Sequence, residues 1–378
     1  MREQSPIYTF HVIPSLNAID WHIFLGRPHL EQPTSQMIDA LQRERVLVTG
    51  AGGSIGAALA LRLAGIAPRR LVLLESSEHA LFELQSVLAH AGIQHSPQCI
   101  LGSVLHADLL EELFAQSAPS IVFHAAAFKH VPLLEEHPLA AIENNIFGTK
   151  ALVRIAAAHG ARVVLLSTDK AVEPASVMGA TKRVAEEIVL GADGTVLRLG
   201  NVLKSSNSVV EAFAEQIAVG GPLTVTDPAA RRYFLTIEEA VDLLIAASAE
   251  PERPVVLAPD LGSLQFITDL ARFMAKTLAP EREISIDFTE PRPGDKELET
   301  LWTADEAVVP AAAQGLFSIR SHWRAGAVFD QELDALERAT HARDLPSALA
   351  CLRSLVPDFT PSSALLNLAQ RSASRVAP

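Results

Sequence analysis

Three consecutive polar residues have the types and the position to carry acid–base chemistry: Thr168, Asp169 and Lys170. They follow the apolar run 163–166, which is typical of a strand buried in a parallel sheet. In doubly wound sheets the reactive groups lie at the carboxyl ends of such strands. An acid and a base side by side at that edge can move two protons within one reaction. A lone lysine would instead be interpreted as a solvated charge, so the surrounding residues must decide.

Met178 and Lys182 open the next predicted helix, and their i, i+4 spacing places them on one face. The short-chain dehydrogenases usually have Tyr and Lys at these two positions: the Tyr exchanges a proton with the substrate hydroxyl and the Lys binds the nicotinamide ribose. A methionine on a helix, taken alone, is core. The chain's two tyrosines, Tyr8 and Tyr233, are not followed by a suitable lysine in this context.

A glycine-rich turn joins the β-branched run 45–49 to a helix-length segment. Its glycine spacing permits a tight turn, close approach of the backbone to a pyrophosphate and close packing of helix on strand, while the helix N-terminus offers free N–H groups. The strand–turn–helix context favours a dinucleotide site over an ordinary glycine-rich turn. The predicted contacts are Gly50, Gly53, Ser54, Ile55 and Gly56.

Glu75 ends the second predicted strand, where an acidic side chain accepts hydrogen bonds from the adenosine ribose. Its charge would repel a 2′-phosphate, which favours NAD over NADP without excluding NADP. The alternative is a solvated charge at a strand end.

Short apolar runs alternate with helix-length segments from Arg45 onward, which predicts an α/β fold with a doubly wound parallel sheet of the Rossmann type. We expect an N-terminal arm (1–44) that packs on the following domain, a nucleotide-binding domain (mainly 45–200), a proline-punctuated substrate-binding lobe (mainly 201–330), and C-terminal helices with a tail (331–378). The predicted strands are Arg45–Thr49, Leu71–Glu75, Gln98–Val104, Ile121–Ala125, Val163–Ser167 and Thr195–Leu199.

Length and composition fit a nucleotide domain with a smaller lobe: the chain has 378 residues, 49% of them apolar, and a formal net charge of −13. That charge argues against a nucleic-acid partner. Cys99 and Cys351 are far apart in sequence and suggest neither a disulfide framework nor a metal site. Without a signal peptide or a run long enough to span a bilayer, we expect a cytoplasmic protein with no membrane span.

Long stretches of the chain resemble one family, the UDP-N-acetylglucosamine 4,6-dehydratases of polysaccharide and glycan biosynthesis, which are extended short-chain dehydrogenases. In the membrane-anchored branch of that family Met replaces Tyr, as at Met178, so a chain without the anchor departs from the branch. The matching segments are VTGAGGSIG (48–56), FHAAAFKHVPLLEEHP (123–138), NNIFGT (144–149), STDKAVEPASVMGATKR (167–183), LRLGNVLKSSNSVV (197–210), GGPLTVTDPAARRYFLTIEEA (220–240), RPGDK (292–296) and LVPDFTP (355–361).

The resemblance implies a reaction in which oxidation at C4 of the sugar acidifies the C5 proton, water leaves from C6 and the stored hydride returns to C6. By this resemblance Asp169 is the acid, Lys170 the base, Thr168 the hydrogen-bond partner of the C4 oxygen and Lys182 the ligand of the nicotinamide ribose. Burial of each group alone would favour a protonated Asp169 and a neutral Lys170, whereas their mutual attraction would oppose both shifts. The acceptor of the C4 hydroxyl proton stays unassigned.

Further ligand contacts are expected around the same edge. Small residues let the dinucleotide lie against the backbone at Ala125 and Ala126. Family members commonly have an Asp where this chain has Ser103, beside Val104, which weakens the expected contact with adenine. The predicted substrate contacts are Lys129, His130, Asn201, Arg232 and Arg292, each with a surface ion pair as the alternative.

Two other functions remain open. A nucleotide-sugar 4-epimerase has the same fold but needs a proton-shuttling Tyr and has no use for an Asp–Lys pair. A catalytically silent nucleotide-binding protein would tolerate Met178 and Ser103, yet it would not be expected to retain Asp169, Lys170 and Lys182. We therefore expect catalysis on UDP-N-acetylglucosamine or a related UDP-sugar, by a homo-oligomer.

Overall fold

The computed structural model describes residue 16 and residues 19–93, 96–206, 208–313, 315–320, 323–324 and 326–376. These residues form fifteen strands. In chain order they are β1 Arg45–Thr49, β2 Arg70–Glu75, β3 Gln98–Leu101, β4 Ile121–His124, β5 Arg162–Thr168, β6 Thr195–Leu199, β7 Asn201–Val202, β8 Leu223–Val225, β9 Arg231–Arg232, β10 Phe234–Leu235, β11 Val255–Pro259, β12 Gln265–Phe266, β13 Ile286–Phe288, β14 Ala307–Pro310 and β15 Leu316–Arg320.

Fifteen α-helices complete the described elements, together with a π-helical turn at Glu143–Phe147 and a 3₁₀ turn at Asp169–Ala171. The helices are α1 Trp21–Leu25, α2 Ser35–Gln42, α3 Ser54–Ile66, α4 Glu78–His90, α5 Ala107–Ser117, α6 Val131–Glu136, α7 Pro138–Ile142, α8 Gly148–Ala158, α9 Val177–Gly191, α10 Val209–Ala218, α11 Ile237–Ser248, α12 Ile267–Leu278, α13 Ala327–His341, α14 Leu345–Leu355 and α15 Ser363–Val376.

The main sheet has nine strands in the order β14-β15-β11-β6-β5-β4-β1-β2-β3. The seven strands from β11 to β3 are parallel, and β14 and β15 add an antiparallel edge. Helices cover both faces, so every residue of β4 and β6 is buried, which explains why their sequences are apolar or β-branched except at His124 and Arg198. The predicted doubly wound α/β fold is confirmed.

Short strand pairs build a lobe beside the carboxyl edge of the sheet: β7 pairs with β10, β9 with β12, and β8 with β13. Its apolar core lies between α10 and α12, with Phe213, Leu270 and Met274 fully buried. Described parts of the N-terminal arm take two positions. Helix α2 packs on α3 and α11, whereas Trp21 of α1 packs in the core of the lobe.

Helix α9 follows the carboxyl end of β5 and is packed from two sides. One side lies on β5 and β6, and the other packs on the C-terminal helices, where Leu336 and Leu352 meet Met178 and Val184 in one apolar cluster. Within the described ranges, none of the helices is long and apolar enough to cross a bilayer.

Candidate active site

A cavity of about 1130 Å³ opens at the carboxyl edge of the main sheet, beside the lobe. Glu75, Ser103, Val104, Ala126 and Asp169 are not on its wall. The other predicted site residues all are, which brings together segments that are far apart in sequence. The predicted residues that line it are Gly50, Gly53, Ser54, Ile55, Gly56, Ala125, Lys129, His130, Thr168, Lys170, Met178, Lys182, Asn201, Arg232 and Arg292.

The glycine turn leaves room for a phosphate group. Gly50 has φ +68°, and a Cβ there would lie 2.6 Å from the backbone nitrogen of Ala126. A Cβ on Gly56 would lie 2.0 Å from the Gly50 carbonyl oxygen. At Gly53 the nearest atom to a Cβ would be 3.4 Å away, so this glycine faces open space at the start of α3. A helix N-terminus bordering such space fits the diphosphate of a dinucleotide.

Glu75 is buried behind the glycine turn. One carboxylate oxygen accepts a hydrogen bond from the Gly52 N–H and the other from the Ser77 N–H, each at 2.8 Å. The carboxylate therefore fixes the turn to the end of β2, a role that its sequence position did not indicate. Ser103 accepts a bond from the Leu105 N–H at 3.2 Å, and Val104 packs on Gly148. Contacts of Glu75, Ser103 and Val104 with a cofactor stay predictions.

Thr168 and Asp169 are joined at the end of β5. The Thr168 hydroxyl donates to Asp169 Oδ1 at 2.9 Å, and it also caps the 3₁₀ turn by accepting a bond from the Lys170 N–H at 3.3 Å. Asp169 is fully buried, and its Oδ2 atom has no hydrogen-bond partner among the described residues. One carboxylate oxygen of Asp169 therefore accepts hydrogen bonds, and the other accepts none from the described residues.

The Lys170 ammonium group lies close to three side-chain oxygen atoms. Its Nζ atom is 2.9 Å from Asp169 Oδ1, 3.0 Å from Asn201 Oδ1 and 3.6 Å from Glu299 Oε1. Burial lowers the pKa of Lys170, but the charges of Asp169 and Glu299 outweigh burial and hold that pKa above its usual value. Of the two opposing effects expected from the sequence, the attraction prevails, so the resting pair is an ion pair.

Lys182 and Met178 lie one helical turn apart on the cavity wall. The Lys182 ammonium donates to the Leu166 carbonyl at 2.7 Å. Burial lowers the pKa of Lys182 to about 8, against the opposing charge of Glu186. Met178 is buried and offers a thioether where a Tyr hydroxyl would otherwise lie, so this position supplies no proton.

His124 ends β4 directly under this site and is fixed in one neutral form. Thr149 donates its hydroxyl proton to the Asn145 carbonyl at 2.6 Å, so it accepts from His124 Nε2 at 2.9 Å. Nδ1 then accepts from the Thr49 hydroxyl at 2.7 Å. Burial lowers the pKa of His124 to about 3, with the Lys182 charge adding to the effect. The ring therefore joins β1, β4 and the start of α8 without taking part in proton transfer.

The predicted substrate residues differ in how far their side chains are already engaged by other groups of the protein. Buried Arg232 donates to the carbonyls of Arg231, Lys296 and Glu297 at 2.7–3.0 Å, so its guanidinium holds backbone. Arg292 is exposed and pairs with Asp295 at 2.9 Å.

Lys129 and His130 lie on the loop after β4. The Lys129 Nζ donates to the Ser206 carbonyl at 2.9 Å, and burial lowers its pKa. The pKa of His130 is also lowered, by burial and by the Lys129 charge. Substrate contacts of all the predicted residues stay predictions.

Comparison with known proteins gives the family. Residues 46–321 match the family described as "Polysaccharide biosynthesis protein". This chain belongs to that family. It is 40% identical over 294 residues to the probable polysaccharide biosynthesis protein EpsC of Bacillus subtilis, a match that covers 75% of this chain and 49% of EpsC. It spans about half the length of the curated polysaccharide biosynthesis proteins it matches.

Other relatives of this polysaccharide biosynthesis family member are named for an enzyme activity. A UDP-N-acetylglucosamine 4,6-dehydratase (inverting) of Campylobacter jejuni is 28% identical, over 73% of this chain and 83% of the relative. A UDP-glucose 4-epimerase of Rickettsia massiliae is 32% identical, over 55% of this chain and 63% of the relative. The structure of Pen from Bacillus thuringiensis superposes with a TM-score of 0.68 at 27% identity, covering 76% of this chain and 92% of Pen.

Sequence reasoning missed four residues at the site of this family member. Glu299 and Lys296 lie on the segment that follows the short strands of the lobe. Ser206 forms hydrogen bonds with the Ser54 hydroxyl. Ser208 precedes α10, whose N-terminus lines the cavity opposite α3. One signal was readable: Ser208 followed three residues later by Glu211 is typical of a helix start. Nothing local marked Glu299.

Proposed function

We propose that this protein is a nucleotide-sugar 4,6-dehydratase that acts on UDP-N-acetylglucosamine with NAD. The observation that carries the proposal is the contact between Asp169 and Lys170, 2.9 Å apart beside the cavity, with Thr168 bonded to the same carboxylate oxygen. Elimination of water needs an acid at C6 and a base at C5. The activity for which the Campylobacter relative is named supports this assignment.

The resting ion pair and the reactive pair contain the same number of protons. Moving one proton along the 2.9 Å contact from Lys170 to Asp169 gives a free amine and a carboxylic acid. The amine then takes the C5 proton and the acid protonates the departing C6 hydroxyl, which returns the two residues to the ion pair. No proton from solvent is required for the elimination, because the proton that leaves Lys170 is the one that Asp169 would deliver from Oδ1.

A dinucleotide fits the cradle of the glycine turn. Open space at Gly53 and the N-terminus of α3 would take its diphosphate, and Lys182 would take the nicotinamide ribose. The nicotinamide supplies one kind of chemistry here: it accepts a hydride and returns it within the same turnover. Thr168 would orient the C4 oxygen by hydrogen bonding, and buried Met178 would keep the reacting carbon away from water.

A second diphosphate, that of the UDP-sugar, fits the opposite wall. The N-terminus of α10 lines the cavity there, and Ser208 at its start makes no capping hydrogen bond in this structure. Lys129 and Arg292 also line this cavity. Two helix N-termini facing one cavity match two diphosphates in one reaction complex.

The bound cofactor is expected to be NAD, because the Glu75 charge lies directly behind Gly52 at the end of β2 and would repel a 2′-phosphate. Denaturing the purified protein and identifying the released dinucleotide by mass spectrometry tests this. Release of NADP alone would contradict it. Replacing the exposed neighbour Glu78 by Gln is a control that should leave the preference unchanged.

The reaction itself is tested by incubating the purified protein with UDP-N-acetylglucosamine and analysing the nucleotide sugar by mass spectrometry. A dehydratase yields a product lighter by one water. An epimerase, such as the one for which the Rickettsia relative is named, yields a product of unchanged mass with inverted configuration at C4. A catalytically silent protein yields no product. Either of the last two results would overturn the proposal.

A further inference from the structure

The segment from Lys296 to Glu306 braces the Asp169–Lys170 pair from outside the sheet. Arg232 holds the carbonyl groups of Lys296 and Glu297, and the Lys296 ammonium donates to the Val172 carbonyl at 2.9 Å. Further along, buried Arg198 donates to the Leu301 carbonyl at 3.1 Å. The segment is thus fixed at several points, so any side chain that it aims at the pair is held in place.

Glu299 is the side chain that reaches the pair. It is 2% exposed, and its two oxygens lie 3.6 Å from Lys170 Nζ and 3.1 Å from Lys296 Nζ. A buried carboxylate is costly unless cations accompany it, and here it lies between two. The four charges therefore run in the order Lys296, Glu299, Lys170 and Asp169, alternating in sign.

We propose that Glu299 is a positioning residue that holds the Lys170 ammonium in place and opposes transfer of its proton to Asp169, so that Glu299 determines how readily Lys170 acts as the base. This rests on the proposed dehydratase function. Glu299 does not itself line the cavity, whereas Lys170 does, so Glu299 acts through Lys170.

The direction of the effect follows from the groups that face Lys170. Asp169 and Glu299 favour its charged form, whereas burial and the Arg232 charge favour the neutral amine. Asn201 adds an uncharged acceptor, and Lys296 offsets part of the Glu299 charge. Replacing Glu299 by Gln removes one of the two negative charges, so the pKa of Lys170 should fall.

The test follows the free amine directly. Acetic anhydride acylates only neutral amines, and Lys170 is on the cavity wall, within reach of the reagent. Labelling of the Lys170 peptide is measured by mass spectrometry across a pH series in the cofactor-loaded protein. For Glu299→Gln the labelling midpoint should move down by at least about one pH unit, which means about tenfold more labelling at a pH below both midpoints.

A matched control and a second variant make the result decisive. Glu297→Gln makes the same change on an exposed neighbour whose carbonyl group alone is used, and should leave the midpoint unchanged. Lys296→Met frees Glu299 from its other cation and should move the midpoint up. An unchanged midpoint in both Glu299→Gln and Lys296→Met overturns the proposal, and if Glu299→Gln does not fold, the Lys296→Met result decides.

Turnover supplies a second readout that a purely structural role would not move. If the protein dehydrates the sugar, the alkaline limb of its pH–rate profile reports loss of the shared proton from Lys170 and should shift to lower pH in Glu299→Gln, with Glu299→Asp restoring it towards the original position. Should the wild-type protein not dehydrate UDP-N-acetylglucosamine, the proposed function fails while the labelling midpoints still test Glu299. The two failures are therefore distinguishable.

Discussion

Lys170→Ala is expected to abolish formation of the deoxy-sugar while still permitting oxidation at C4. The reason is a division of labour in the proposed mechanism: Lys170 would remove the C5 proton, whereas Lys182 and the glycine turn would position the cofactor for hydride transfer. The variant should therefore stop after the first step, and reduced nicotinamide should accumulate. Adding UDP-N-acetylglucosamine to the NAD-loaded variant and following the absorbance of reduced nicotinamide measures this, with product analysed separately.

Two further variants test whether this effect is specific to Lys170. Lys182→Ala should instead impair the oxidation, because a displaced nicotinamide ribose misaligns the reacting atoms. Lys150→Ala is the matched control: this lysine pairs with Asp334 and Glu337, is absent from the cavity wall and should leave turnover unchanged. Full product formation by Lys170→Ala, with solvent deuterium still entering at C5, would show that another base acts. Loss of both oxidation and product would contradict the division of labour.

Asp169→Asn should slow dehydration by ~100-fold or more, the usual scale for loss of a general acid. Asn keeps the shape of the side chain and an acceptor for Thr168, so binding of cofactor and sugar nucleotide should persist. It cannot deliver a proton to the departing C6 hydroxyl. Turnover is measured from the rate of product formation, and binding from cofactor content and titration with the nucleotide sugar.

The control for this substitution is Asp193→Asn, which makes the same change in an exposed turn where φ is +59°. Asn tolerates that conformation well, so stability and turnover should match those of the unchanged protein. Near-normal turnover by Asp169→Asn would remove Asp169 from the role of acid and leave the contact with Lys170 as structural.

Sequence reasoning succeeded where burial alone dictates the pattern. Strands β1 and β6 have the predicted bounds because both lie inside the sheet, and β3 ends at Leu101 rather than Val104 because it is an edge strand followed by a turn. The sequence also predicts helices at Asp330–Arg343 and Pro346–Leu355. In the structure α13 begins three residues earlier and ends two residues earlier than the first, and α14 begins one residue earlier than the second and ends at the same Leu355. The two-residue strands of the lobe are too short for any periodicity.

The site was predictable to the extent that its parts are local in sequence. Thr168, Asp169 and Lys170 lie together because they are consecutive at a strand end. Glu299 comes from another segment, and only tertiary packing brings it to Lys170. Arg232 looked like a ligand residue by its type, yet its guanidinium is engaged by backbone carbonyls. Residue type and spacing carry no record of such long-range partners.

The hydrogen bonds of Ser206 have a consequence for how the cofactor would be handled over time. Ser206 bonds to Ser54 on one side of the cavity and to Lys129 on the other, so the chain crosses over the glycine turn. If a dinucleotide binds beneath this crossing, it would leave only after those bonds break, which would slow its exchange with solvent. An enzyme that returns its hydride in every cycle loses nothing by such retention. The cofactor would then behave as a resident prosthetic group, carried through purification and many turnovers, rather than as a co-substrate drawn from the cellular pool.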